Sequence, residues 1–288
     1  MDNFSLSPAV AGKFFIPGGF EPGEVLPRIT DICFAAHHDD VEIMCYGPIS
    51  DCFKNDMRRF AAVILSDGGG SPRSGAYAGY TDDDMKAVRV KEQKTAAIMG
   101  EYEALGLLNY KSADIKTPGN KMLVSEITDI IKSAKPDTVY THNLADKHDT
   151  HVCTALRVIE ALRSIPENER PKKVYGLEVW RGLDWMCDED KALFDTSKNP
   201  NMASALVGIF DSQVSGGKRY DLAALGRRVA NATFFASHAV DDCDSMTYGV
   251  DMTDFVYSEQ PPEEFMQKYI DSFAAEVKNR IAMYVNKK

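Results

Sequence analysis

The chain predicts an α/β protein with a mostly parallel sheet, helices on both faces and C-terminal additions. The main observation is that short apolar runs alternate with longer segments of helical periodicity over residues 29–180, the pattern of repeated strand–helix units. A second is that these runs end in polar clusters, as strands do where they feed functional loops. The third is composition. With 288 residues, 44% hydrophobic and 26% charged, 20 Gly and 13 Pro, the chain matches ordinary folded proteins and excludes disordered, collagen-like and disulfide-scaffold classes.

Residues 1–28 carry Pro8, Pro17, Gly18, Gly19, Pro22, Gly23 and Pro27 without periodicity, which predicts an extended N-terminal arm. A single domain follows over 29–288, with its core at 29–181 and additions at 182–288. Residues 32–36 are a short apolar run closing in a polar cluster, and 42–55 place apolar residues at helical spacing. These read as strand, loop and helix. A second buried strand is predicted at 59–66, closed by Asp67-Gly68-Gly69-Gly70 and followed by an irregular polar loop over 71–80. Residues 82–100 combine an acidic first turn, strong helix formers and a glycine stop, so they predict a helix. A short strand at 107–110 and a helix at 123–134 come next. Pro136 precedes a strand at 137–142, then a helix at 151–162 and a strand at 173–181. In the additions, helices are predicted at 220–235 and 262–284, with no internal repeat or low-complexity linker.

Lys and Arg number 33 against 43 Asp and Glu, a net charge of −10 that no long basic block offsets. Non-specific binding to nucleic acid or to anionic membranes is thereby excluded as a function class. The N-terminus lacks the basic start and apolar run of a secretory signal, and no stretch reaches the roughly 18 apolar residues of a membrane span. Cys33, Cys45, Cys52, Cys153, Cys187 and Cys243 form no CxxC pair and read as reduced thiols. Together these predict a cytoplasmic protein.

Five of the six histidines fall in two short segments. Ala36-His37-His38-Asp39-Asp40-Val41-Glu42 follows the first predicted strand, and the segment from His142 through Asp146, His148 and Asp149 to His151 follows a later one. A catalytic zinc site draws three ligands from His and Asp/Glu and keeps a fourth position for water, a donor set that His37, Asp40 and His151 could supply. The His-x-x-Asp spacing turns both side chains toward one point from a tight loop, and His148 and His151 share a helix face if the helix has begun there. Adjacent carboxylates allow one to hold metal while the other acts as base. The same residues also read as surface His and Asp at helix N-termini, with Asp40 as a cap. Spacing alone leaves both readings open.

The first segment resembles the AHPDDxE motif of the PIG-L/LmbE-like de-N-acetylases, and Asp146-Lys147-His148-Asp149-Thr150-His151 resembles their later D-x-H-x-x-H motif. Arg89-Val90-Lys91-Glu92, running on to Met99-Gly100, is similar to the family's R-x-x-E helix, residues 136–142 to the strand that feeds the second motif, and residues 232–240 to a late H-x-S-Q region. The resemblance covers residues 29–180. It implies a Rossmann-like three-layer α/β/α fold and a zinc-dependent hydrolase that removes an N-acetyl group from an amino sugar such as N-acetylglucosamine, or from its conjugate. Carried over by position, it implies His37, Asp40 and His151 as metal ligands and Asp39 as general base on metal-bound water. It further implies His148 as oxyanion stabiliser and general acid, with Arg89 and Asp114 as substrate contacts. Fe²⁺ or Co²⁺ would suit the same His/Asp set.

Two departures stand out. His38 replaces the usual proline of the first motif, and Asp149 and Thr150 stand where the family has Pro and Asp, which leaves Asp146 to take over the orienting of the second motif's first histidine, His148. An amidase acting on another amide, such as a thiol-sugar conjugate, and a catalytically weak carbohydrate-binding protein remain as alternatives. The resemblance allows a homo-oligomer, and no periodic surface seam decides it. Ser66-Asp67-Gly68-Gly69-Gly70-Ser71 lacks the Lys-Ser/Thr ending of a P-loop and reads as a flexible turn near the pocket. Trp180, Trp185, Tyr175 and Tyr248 read as core before they read as a sugar-stacking rim, and Cys153 and His238 as structural residues outside the metal site.

Overall fold

The structure is a computed structural model that describes residues 6–285; the first five residues of the predicted arm lie outside the described residues. The rest of the arm is not extended throughout. It forms α1 (Pro8–Ala11), the two-residue β1 (Phe14–Phe15) and α2 (Pro22–Val25), each helix opened by a proline whose fixed φ suits the first turn. Val10, Val25 and Leu26 are buried, and β1 pairs antiparallel with the edge of the sheet.

Five parallel strands make the centre: β2 (Asp31–Ala35), β3 (Phe60–Ser66), β4 (Ala104–Tyr110), β5 (Thr138–His142) and β6 (Lys173–Leu177). Parallel pairing demands crossovers, and helices supply them. α3 (Asp40–Met44) and α4 (Tyr46–Cys52) link β2 to β3, α5 (Asp82–Met99) links β3 to β4, α6 (Ser112–Lys116) and α7 (Lys121–Ala134) link β4 to β5, and α8 (Asp149–Ser164) links β5 to β6. The chain then adds β7 (Ala192–Asp195), α9 (Pro200–Gly208), α10 (Asp211–Val214), α11 (Tyr220–Phe235), β8 (Met246–Asp251), α12 (Thr253–Tyr257) and α13 (Pro262–Val285). β8 joins β6 antiparallel and β7 joins β8, so the sheet runs β1-β4-β3-β2-β5-β6-β8-β7.

Strand alternation divides the core between the two faces. Ile32 and Phe34 of β2 pack with Ile127, Ile131, Val158 and Leu162 from α7 and α8, while Cys33 and Ala35 pack with Val41, Ile49, Ala96 and Leu206. Burial on both faces explains why the central strands read as unbroken apolar runs. The helix expected over 42–55 is instead two helices parted at Cys45, which sits at φ −109° and ψ 18°. The strand expected at 107–110 begins at Ala104, and that expected at 173–181 ends at Leu177. Residues 182–288 are more than appendages, because β7 and β8 extend the same sheet.

Strand order reverses at β2, with β3 and β4 to one side and β5 and β6 to the other. Such a switch point opens a crevice at the carboxyl ends of β2 and β5, the ends from which both histidine segments emerge. All six cysteines are free. Among the described residues, no helix is long and apolar enough to cross a membrane.

Candidate metal centre and its cleft

Between β2 and α3 the chain turns sharply through His37, His38 and Asp39. Asp39 adopts the left-handed conformation, φ 84°, which an Asp tolerates better than most residues. Buried partners hold it there. Its N–H donates to Gln93 Oε1 at 3.1 Å, Gln93 Nε2 donates to Glu42 Oε1 at 2.8 Å, and the Tyr102 hydroxyl donates to the same oxygen at 2.7 Å. From α5, Arg89 Nη2 lies 3.0 Å from Asp39 Oδ2 and also donates to the His38 carbonyl. Arg89 Nη1 meets Glu92 Oε2 at 3.3 Å and Ser212 Oγ at 3.2 Å.

Asp40 Oδ2 accepts the His37 N–H at 2.8 Å, so Asp40 ties back the loop instead of capping α3. The same oxygen lies 3.2 Å from His37 Nδ1 and 3.3 Å from His151 Nε2, and those two nitrogens are 3.1 Å apart. Three donor atoms from two loops therefore close into a triangle. A tetrahedral zinc with ligands at about 2.0–2.1 Å sets its ligand atoms roughly 3.3–3.4 Å apart, so the triangle has the size of one face of that tetrahedron.

Donor atoms also gather within 4.8 Å in the sets His37-His148-His151 and Asp40-His142-His151, which overlap at His151. His142 is already engaged, because its Nε2 accepts the Ala36 N–H at 2.9 Å and thereby ties the end of β5 to the end of β2. That lone pair is not free for a metal. His148 precedes α8 with its ring stacked on His151, centroids 4.5 Å apart. Asp146 Oδ1 accepts the His148 N–H at 2.9 Å, and its Oδ2 accepts the Trp180 N–H at 3.0 Å and lies 3.4 Å from His151 Nδ1. The last is an ion-pair contact and not a well-aligned hydrogen bond. Asp149 is exposed on the first turn of α8, so Asp146 is the carboxylate placed to orient His151.

Burial and charge divide the two neighbouring aspartates. Burial raises Asp39 to about 6 against the lowering pull of Arg89. Burial also pushes on Asp40, but His151, His37 and His142 outweigh it and hold that carboxyl well below its ordinary range. Burial pulls His151 down, yet Asp40 and Asp146 push it up to about 9. His148 is lowered by burial, then by the neighbouring His151 and His37. His38 is fully buried with neither ring nitrogen partnered, and burial drives its pKa well below normal.

His37, Asp39, Asp40, His148 and Thr150 all line one cleft of about 530 Å³. Ser66, Asp67, Ser71, Ser112, Gln213 and Lys218 give its walls a polar character. Arg89 also reaches the wall, but it is 2% exposed and committed to Asp39, Glu92 and Ser212, so it holds the loop where a free substrate contact was expected. Asp114 does not line this cleft: it stands exposed on α6 beside an adjoining groove of about 600 Å³ that shares Asp67 with the cleft and contains no histidine. Trp180, read first as core, lines the cleft with Tyr220, whereas Tyr248 is buried and Trp185 packs on the core. Gln213, Lys218 and Tyr220 went unseen in the sequence, since nothing in their local pattern points to a pocket.

Residues 32–162 match the family model described as PIG-L: GlcNAc-PI de-N-acetylase. No curated protein matches the chain. Among solved structures, the 4-carboxy-2-hydroxymuconate hydratase of Pseudomonas putida is 17% identical over 77% of this chain and 96% of its own, with a TM-score of 0.60. The N,N'-diacetylchitobiose deacetylase of Pyrococcus horikoshii is 15% identical over 81% and 86%, with a TM-score of 0.63. A deacetylase of teicoplanin biosynthesis is 15% identical over 81% and 100%, with a TM-score of 0.53. At these identities the likeness shows the fold, and a hydratase beside deacetylases means that the fold does not choose the reaction. The stretch matched by the family model holds the Asp39-Asp40 loop, the Arg89 helix and the His148-His151 segment.

Proposed function

We propose that this protein is a metal-dependent hydrolase, with zinc as the first candidate metal, that removes an N-acyl group from an amino sugar or its conjugate. The observation that carries the reading is the triangle of His37 Nδ1, Asp40 Oδ2 and His151 Nε2, with edges of 3.1 to 3.3 Å, beside a second carboxylate that is free of it. The donor set fits a divalent cation. When bound, such an ion supplies Lewis acidity toward the amide carbonyl and makes water a better acid.

The chain's own groups then divide the work. Asp39, with its pKa raised to about 6, is poised to take a proton from the attacking water near neutral pH, and Arg89 fixes one of its oxygens. His148, half-buried in the same cleft, faces the charge that develops on the carbonyl oxygen and delivers a proton to the departing nitrogen. Asp146 keeps the His151 ring in its ligating orientation. The polar walls suit a polyhydroxyl substrate. We read 29–288 as one domain working in the cytoplasm.

The test is acetate release from N-acetylglucosamine and its glycosides by zinc-reconstituted and chelator-treated protein. Acetate from the first sample alone supports the reading. No carboxylate of any chain length released from protein that demonstrably holds one zinc per chain, over a panel that includes longer N-acyl sugars, points to the binding-protein alternative.

A further inference from the structure

The cleft does not end at the donor triangle. Beyond Asp40 it continues into a smaller pocket of about 140 Å³, and Asp40, Trp180 and Tyr220 line both spaces. The remaining walls are Ile43 from α3, Val179 after β6, and Ala223, Ala224 and Arg227 from α11. Tyr220, Ala223, Ala224 and Arg227 follow i, i+3, i+4, i+7 spacing, so they share one helix face, and the two alanines at its middle leave the space open. Arg227 is turned aside, with Nη1 donating to the Val179 carbonyl.

Asp40 thus stands at a border. On one side the walls offer serines, Gln213 and Lys218, and on the other mainly Ile43, Val179, the alanines and aromatic faces. An amide cleaved at this border has an amine part and an acyl part that leave the carbonyl carbon in different directions. The polar cleft suits the sugar, which leaves the apolar pocket for the acyl chain. Size then narrows the chain. An apolar cavity of about 150 Å³ accommodates benzene, so a pocket of this volume takes about six carbons, far more than one acetyl methyl.

Resting on the amide-hydrolase reading above, we propose that this pocket is an acyl-chain subsite and that the enzyme prefers N-acyl amino sugars with medium-length acyl groups over N-acetyl ones. In the reaction, a water oxygen bonds to the carbonyl carbon, the C–N bond breaks and a water proton ends on the nitrogen. The products are a medium-chain carboxylate and a free amine, and no co-reactant beyond water is consumed. Burying one methylene is worth about fourfold in affinity, so the four extra methylenes of a hexanoyl group permit up to about 200-fold over acetyl.

The experiment pairs two readouts on zinc-loaded protein: calorimetric binding of acetate and hexanoate, and cleavage of N-acetyl- and N-hexanoyl-glucosamine. Hexanoate is expected to bind at least about tenfold tighter than acetate, with a matching preference in kcat/KM. Ala223→Phe, which fills the pocket from an exposed position, is expected to erase the preference in both readouts, with folding checked by its Tm. Tighter hexanoate binding that Ala223→Phe erases, with neither amide cleaved, supports the pocket and overturns the hydrolase reading. Cleavage of the acetyl sugar with equal binding of the two carboxylates overturns the subsite and leaves the hydrolase reading standing.

Discussion

The two loops that meet at the donor triangle are held in place by opposite means. The first, after β2, puts Asp39 in the left-handed region and depends on side chains from distant helices, Arg89 and Gln93 of α5 among them. The second, after β5, runs into a regular helix and carries its own brace, since Asp146 holds both the His148 backbone and the His151 ring. The contrast teaches where each function resides. Orientation of the base is bought with long-range contacts, whereas orientation of a donor histidine is local.

The largest effect should come from the triangle itself. His151→Ala removes a corner, and its zinc affinity is expected to drop by more than the roughly 10–100-fold that losing an outer partner costs. His142→Ala makes the contrast sharp. It orphans the Ala36 N–H, which costs about 1–3 kcal/mol of stability, while zinc affinity stays close to that of the parent. Chelator competition on both variants decides between the two donor sets, and a large zinc loss in His142→Ala would move the site to Asp40, His142 and His151.

Next comes the base. Asp39→Asn is expected to lower turnover by roughly 10²-fold or more with zinc content unchanged. Equal turnover would remove Asp39 from the chemistry and leave it a structural partner of Arg89. For the second loop, Asp146→Asn leaves one oxygen to accept from either the His148 or the Trp180 N–H, gives up the other backbone contact and loses the charge facing His151. Zinc affinity is expected to fall about 10–100-fold, measured by the same competition, with folding intact. No change would show that the 3.4 Å contact does no orienting.

These contrasts also explain what could be read from the sequence. His37, Asp39, Asp40, His148 and His151 lie in two contiguous segments at the ends of apolar runs, so residue type and spacing carried them. Arg89 was visible as a residue but not in its role, because the contact with Asp39 joins positions that only the fold brings together. Trp180 and Lys218 enter the cleft from loops, Gln213 from the four-residue α10 and Tyr220 from the first residue of α11, and nothing in the local sequence says that these positions face a pocket. β7 and β8 escaped for a related reason. β7 is four residues long and half exposed, and β8 follows an acidic, irregular stretch, so neither offers the apolar run that marked β2, β3 and β5.

The smallest expected effect tests how closely the first loop is packed by its neighbours. Gly68, in the turn after β3, has φ +74°, and a Cβ there would lie 3.1 Å from Arg89 Cβ and Cγ and from His38 Nδ1. Glycine is required twice over, by conformation and by the close approach. Gly68→Ala is expected to cost about 1–2 kcal/mol from the left-handed backbone alone. For a domain of this size that lowers Tm by a few degrees. Because Arg89 is clamped by Glu92 and Ser212, the added methyl pushes on the residue that fixes Asp39, so turnover should fall while zinc affinity holds. If zinc affinity falls as much as turnover, the two loops move as one body and the contrast between them is lost.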